Sequence, residues 1–415
     1  MITINRHVLD NGLRIVHSPD YSTQMVTVNI LYNVGARNEV PEHTGLAHLF
    51  EHLMFGGSIN IPDFDTPIQE AGGEDNAFTT NDITNYFITI PYQNVEVAFW
   101  LESDRMLSLA FTPKSLEVQR HVVVEEFKQS CLNQPYGDSA HLLRSLVYKV
   151  HPYQWPTIGK DISHIEQVDM DLVKQFFFGF YAPNNAILAV TGHISFEETL
   201  RLSEKWFSEI PSRNLSIRPL PKEPEQNEYR HKEVERNVPV GALYLAFPMC
   251  ACMDKDYYAY DILSDILSNG KSSRLPQELM YKTPIFSSVD AFIQGSIDPG
   301  HFQIVGKTLP GISLEKAEDA VFKILDDLVD KSIDSLELEK VQNKFESAQI
   351  FGYTNHINLA RNLAYYEILG DANLINQEVE RYRSVTSEQL QKVAKMVFVK
   401  EKCSSLYYYP SNGGA

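Results

Sequence analysis

Residues Val26 to Asn33 (VTVNILYN) alternate apolar and polar positions before Gly35 ends the run, which predicts a strand entering a loop. Leu46, Leu49, Leu53 and Met54 then recur at helical spacing through GLAHLFEHLMF, and Gly56-Gly57 stops that helix at its C-terminal end. Phe78 to Thr80 and Tyr86 to Ile90 are β-rich runs separated by NDITN, the arms of a hairpin or meander. Val95 to Leu109 reads as a helix, and Pro113 and Ser115 open another through SLEVQRHVVVEEFKQ, with proline in the first turn where its missing N–H does no harm. Ala186 to Thr191 (AILAVT) is a buried strand ended by Gly192, and Phe196 to Glu209 an amphipathic helix.

Between Ile210 and Pro239 the periodicity fails and prolines and charges take over, which marks a linker at residues 211–239. Beyond it the order starts again: a strand at Gly241 to Phe247, a helix at Tyr257 to Leu267 and a stop at Asn269-Gly270, a repeat of about two hundred residues. The expected class is therefore α+β, with two tandem homologous α/β domains at residues 1–210 and 240–415, each a mixed sheet packed with helices. Superposing the two glycine stops sets Asp261, Ser264 and Asp265 where the first half has His48, Glu51 and His52, so only the first half has the groups for a metal.

Composition narrows the function classes. With 415 residues, 43% hydrophobic and 22% charged, the chain fits a soluble globular protein. A formal charge of −18 argues against nucleic acid, since binding a polyanion needs a basic patch; it attracts basic peptides only weakly. No apolar stretch reaches the length of a membrane span, and Met-Ile-Thr-Ile-Asn-Arg-His lacks the pattern of a secretory signal. Four cysteines (Cys131, Cys250, Cys252, Cys403) make no disulfide framework, and Cys250 and Cys252 read as small core residues on a strand. A cytoplasmic, reducing location is expected.

The segment His48-Leu49-Phe50-Glu51-His52 carries the chemistry. Two imidazoles at i and i+4 point to one side of a helix and can share a cation, with Glu51 beside them to take a proton from an attacking water. Burying two histidines and a glutamate on so apolar a helix is costly without a metal. A catalytic zinc needs a third protein ligand, and Glu125 and Glu126 on the next helix both qualify by spacing.

GLAHLFEHLMFGGS, GGEDNAFTTNDITNYF and QRHVVVEEF together resemble the pitrilysin, insulysin and mitochondrial processing peptidase family of inverted zincins, over essentially the whole chain. The resemblance implies one Zn2+ held by His48, His52 and Glu126, with Glu51 as general base, and a clamshell of which this chain is half. It also implies that Asn76, Ala77 and Phe78 lie on an exposed strand that pairs with an extended peptide. Where the family commonly has a second glutamate two turns before the ligand, this chain has Gln119, a neutral amide that can orient a ligand only by hydrogen bonding. The family's Arg/Tyr pair falls, after the landmark Ser272-Ser273-Arg274-Leu275, on Met280 and Ser287, so the pair is absent and Arg274 does not replace it. A homologous subunit is expected to supply it, a second copy of this chain being the alternative partner. The rival function is an inactive structural or peptide-binding subunit, but such relatives tend to lose the zinc ligands, which are all present here.

Overall fold

The computed structural model describes residues Met1–Ser411. Two sheets organise it. The first has six strands in the order β1-β2-β6-β3-β5-β4: β1 (Asn5–Val8), β2 (Arg14–Pro19), β3 (Met25–Tyr32), β4 (Glu74–Thr79), β5 (Thr84–Pro91) and β6 (Ala186–Gly192). The second has five in the order β7-β11-β8-β10-β9: β7 (Arg230–Arg236), β8 (Ala242–Pro248), β9 (Phe286–Gln294), β10 (His301–Thr308) and β11 (Ser404–Pro410). The helices that matter below are α1 (Leu46–Leu53), α2 (Val95–Leu107), α3 (Pro113–Phe127), α4 (Ser139–Val147), α5 (Tyr257–Ser268), α6 (Leu314–Asp330) and α7 (His356–Ile368).

Both faces of the first sheet are covered, which explains why β6 reads as an unbroken apolar run rather than an alternating one. Ala186, Leu188 and Val190 face one way, into a core with Leu49 and Phe50 of α1 and Phe99 of α2. Ile187 and Ala189 face the other way, against Leu359, Ala360, Leu363 and Ala364 of α7. The second sheet repeats the plan: Leu243, Leu245 and Phe247 pack with α5 and α6, while Ala242, Tyr244 and Ala246 pack with Leu143 and Val147 of α4.

The compact units are accordingly discontinuous in sequence. One comprises residues 1–128, 155–220 and 350–377, and the other residues 129–154, 221–349 and 378–415. They exchange α4 and α7 relative to the tandem division at residues 210 and 240. Within the proline-rich stretch 211–239, residues Arg230–Arg236 form an edge strand, β7, parallel to β11. Nearly all its side chains are solvent-facing or half-buried, so it carries no apolar run to announce it. Cys250 and Cys252 lie just past β8 rather than on it, because the strand ends at Pro248, which has no N–H to give a ladder; all four thiols are free. No helix among the described residues is long and apolar enough to cross a membrane.

Candidate metal centre

Helix α1 starts without a side-chain cap of its own, since Gly45 precedes it. Gly45 has φ 85°, a left-handed conformation that a residue with a Cβ resists, and the space where a Cβ would sit is filled by Ile165 and the Ile158 carbonyl. The cap comes from six residues back. The buried Glu39 carboxylate accepts from the Gly45 N–H (2.9 Å) and the Ala47 N–H (2.8 Å), two of the unsatisfied donors at a helix start. Burial pushes the Glu39 carboxyl up to about 8, against the pull of those two amides. The sequence reading missed Glu39; an acid in an irregular loop gives no periodic signal, and only its spacing before Gly45 could have suggested a cap.

Anchored this way, α1 turns its apolar face into the core and presents His48, Glu51 and His52 on the other. Helix α3, capped by the Thr112 hydroxyl at the Ser115 N–H, packs against α1 and brings in Glu126. The Glu126 carboxylate lies 3.1 Å from Nε2 of His48 and 3.4 Å from Nε2 of His52, and the two imidazoles meet edge to face at 4.9 Å. The donor atoms of His48, His52 and Glu126 all lie within 4.8 Å of one another, and no other such trio of His, Cys, Asp or Glu occurs among the described residues. Glu51 stands to the side, with Oε2 at 3.5 Å from Nδ1 of His48.

The neighbouring Glu125 points away: it is exposed and pairs with Lys128 at 2.7 Å. Gln119 shares the face of Glu126 two turns earlier, yet its side chain makes no hydrogen bond among the described residues. Asn76, Ala77 and Phe78 lie on β4, which pairs with β5 alone and forms a free edge of the sheet beside α1.

The electrostatics suit a cation. Burial draws His48 down, but bonds to Glu126 and Glu51 more than reverse this and raise it to about 9. Bonds from His48 and His52 in turn hold the Glu126 carboxyl far below the usual carboxylate range. Burial pushes Glu51 up, but bonds from His48 and Thr79, with the charges of His48 and His52, outweigh it and leave its carboxyl lowered. Two imidazole nitrogens and a carboxylate oxygen, converging and partly shielded from water, form a donor set that fits a borderline-soft divalent ion.

At the equivalent positions of the second half the groups are tied to one another. The Tyr382 hydroxyl donates to Asp261 at 2.6 Å, Ser264 donates to the Asp261 carbonyl, and Asp265 accepts from Asn269 and pairs with Lys344. Burial pushes the Asp261 carboxyl up to about 6, despite the Tyr382 hydroxyl. A folded-state pKa above the unfolded one means that the fold favours the neutral acid, a contribution present below about pH 4 and lost as pH rises through about 6. Asp261→Asn is therefore expected to raise stability at pH 8, on the order of 1–3 kcal/mol, and to change little at pH 4, as thermal melts at the two pH values will show.

Arg274 pairs with Glu337 at 2.7 Å, Met280 packs on the core of its unit, and the Ser287 hydroxyl donates to the Lys307 carbonyl. No arginine or tyrosine stands at either of the last two positions.

Comparisons with known proteins place the chain in a family. Residues 14–159 match the model described as insulinase (peptidase family M16), and residues 167–345 match the peptidase M16 inactive domain. The zinc protease PqqE of Helicobacter pylori is 29% identical over 408 residues, covering 97% of this chain and 92% of that protein. The crystal structure of a protease from Helicobacter pylori superposes with a TM-score of 0.93 at 28% identity, over 99% of this chain and 100% of that one. The periplasmic protease PqqL of Escherichia coli shares the fold at a TM-score of 0.80 and 18% identity, with 99% of this chain covering 48% of that one. With residues 14–159 and 167–345 each matched by a model of the same family, the chain belongs to the insulinase family, peptidase family M16.

Proposed function

We propose that this chain is the zinc-bearing subunit of a metalloendopeptidase that hydrolyses peptides or small unfolded proteins in a chamber completed by a partner subunit. The observation that carries the reading is the convergence of His48, His52 and Glu126 with Glu51 at their side, next to a free sheet edge. His48, His52 and Glu126 would hold a zinc ion, which when bound would polarise a scissile carbonyl and acidify water. Glu51, beside His48 and outside the donor trio, would accept the proton of the attacking water and deliver it to the departing amine. Glu126 contributes the anionic donor and fixes both imidazoles from the opposite helix.

Strand β4 holds the substrate by main-chain pairing along Asn76, Ala77 and Phe78. In support, the Ala77 N–H is met by the Asn76 side chain (2.8 Å), a contact that an incoming strand can displace. Gln119 tunes the site weakly, having no bond to any of the donors. Met280 and Ser287 cannot donate to a developing oxyanion as arginine and tyrosine would, so we assign that role to a homologous subunit. The coverage of only half of the Escherichia coli protein supports this reading. Four free thiols favour a cytoplasmic location.

Two measurements test the proposal together. The purified chain is expected to hold one zinc by metal analysis, and His48→Ala or Glu126→Gln to weaken zinc binding more than about a hundredfold. Cleavage of an unfolded peptide is expected to be slow for the zinc-loaded chain alone and fast when a homologue carrying the Arg/Tyr pair is added. A chain that holds no zinc, or that cleaves equally well after chelation, overturns the reading.

A further inference from the structure

Arg361 of α7 places its guanidinium 4.2 Å above the ring centroid of Phe78 on β4. It is half-buried and makes no hydrogen bond or ion pair among the described residues. This is unusual in a chain with 54 acidic residues, where most other half-buried arginines find a carboxylate or a carbonyl; Arg37, Arg274 and Arg383 all have carboxylate partners. Burial alone draws its pKa down, with no charged neighbour acting on it. A ring face holds the plane of a guanidinium while leaving its N–H edges free, the arrangement in which arginine takes a carboxylate with two parallel bonds.

The position of Phe78 gives the unfilled edge a purpose. Side chains on β4 alternate between the two sheet faces: Ala77 packs with the core on the α1 face, and Phe78 with the cluster on the α7 face. A peptide added along β4 lies about 4.8 Å from it, with its own side chains alternating between the same two faces. The peptide side chain opposite Phe78 then stands about 5 Å from it, on the sheet face that carries Arg361.

We propose that Arg361 is a specificity-determining residue that receives a carboxylate of the peptide laid along β4, so that acidic peptides are the preferred substrate class. This rests on the reading of β4 as the peptide-binding edge and names what that edge selects. The net charge of −18 opposes it only at long range, since salt screens charges more than about 10 Å apart, whereas a stacked guanidinium acts in contact. The carboxylate can be an internal Asp or Glu or the free C-terminus of the peptide.

The test is binding, read by fluorescence anisotropy with full-length Glu51→Gln protein so that no peptide is consumed. Labelled extended peptides are compared in four forms: one with an internal Glu, one with Gln at that position, and a neutral sequence ending either in a free carboxylate or in an amide. The Glu form is expected to bind roughly tenfold tighter than the Gln form. In an Arg361→Met background that preference should vanish while the Gln form binds as before, and Arg361→Lys should restore part of it. A matched thermal midpoint shows that the variants are folded. A preference for the free C-terminus over the amide, with none for Glu, assigns the carboxylate to the chain end and keeps Arg361 as its receptor. Equal binding of every form, or a preference that survives Arg361→Met, overturns the assignment while leaving the edge-strand reading intact. No binding of any peptide removes the edge-strand reading and this one with it.

Discussion

Glu51→Gln is expected to leave the metal in place and to lower turnover by roughly 10²–10⁴-fold. The two halves of that expectation have separate structural causes. Metal retention follows because Glu51 lies outside the converging trio: His48, His52 and Glu126 supply three donors within 4.8 Å without it. The loss of turnover follows because an amide of the same shape fills the space beside His48 but cannot accept a proton at neutral pH. Substrate binding along β4 should be unchanged, so KM is expected to move little while kcat falls. Metal analysis with steady-state kinetics separates the possibilities: unchanged turnover removes the base role, and loss of the metal along with turnover makes Glu51 a ligand.

Arg105→Met is expected to destabilise the protein by about 3–5 kcal/mol through the charge it abandons. Glu102 and Arg105 sit one turn apart on α2 with side chains 0% and 1% exposed, joined by two bonds of 2.8 and 2.5 Å. The guanidinium is also sandwiched at 4.4 Å from both Phe64 and Tyr86 and 5.5 Å from Phe55, which follows α1 directly. Removing the arginine leaves a fully buried carboxylate with no counter-charge, a larger penalty than the net worth of the pair. The double variant Glu102→Leu/Arg105→Met should therefore recover much of the loss. Thermal unfolding of the two variants decides it, and a double variant less stable than the single one refutes the argument.

The cluster of His48, Glu51 and His52 was legible because its spacing is local. His48, Glu51 and His52 sit within one helical turn and a half, and the glycines that bound α1 are visible as letters. Choosing Glu126 over Glu125 was not local: both spacings fit a helix, and what separates them is the packing of α3 on α1, which the family resemblance supplied and periodicity could not. Strands β3, β5 and β6 were found near their observed bounds, since they are strongly apolar, whereas β1 and β2 drew no expectation and β4 starts four residues before the run Phe78 to Thr80. Strand β7 was hidden by its charged, solvent-facing side chains. The Glu102–Arg105 pair and the stacking of Arg361 on Phe78 were illegible for another reason: a charged residue on a helix looks solvated until its neighbours are known.

Helix α7 comes late in the chain. Its residues are synthesised long after β6, yet they are what covers Val16, Leu31, Ile187 and Ala189. At ribosomal speeds of roughly 5–20 residues per second, that apolar surface stays bare for on the order of ten to thirty seconds in every newly made molecule. The nascent N-terminal half is then a client for a chaperone that shields β-sheet faces, and a proteolytic fragment ending after β6 carries the same sticky face for as long as it exists.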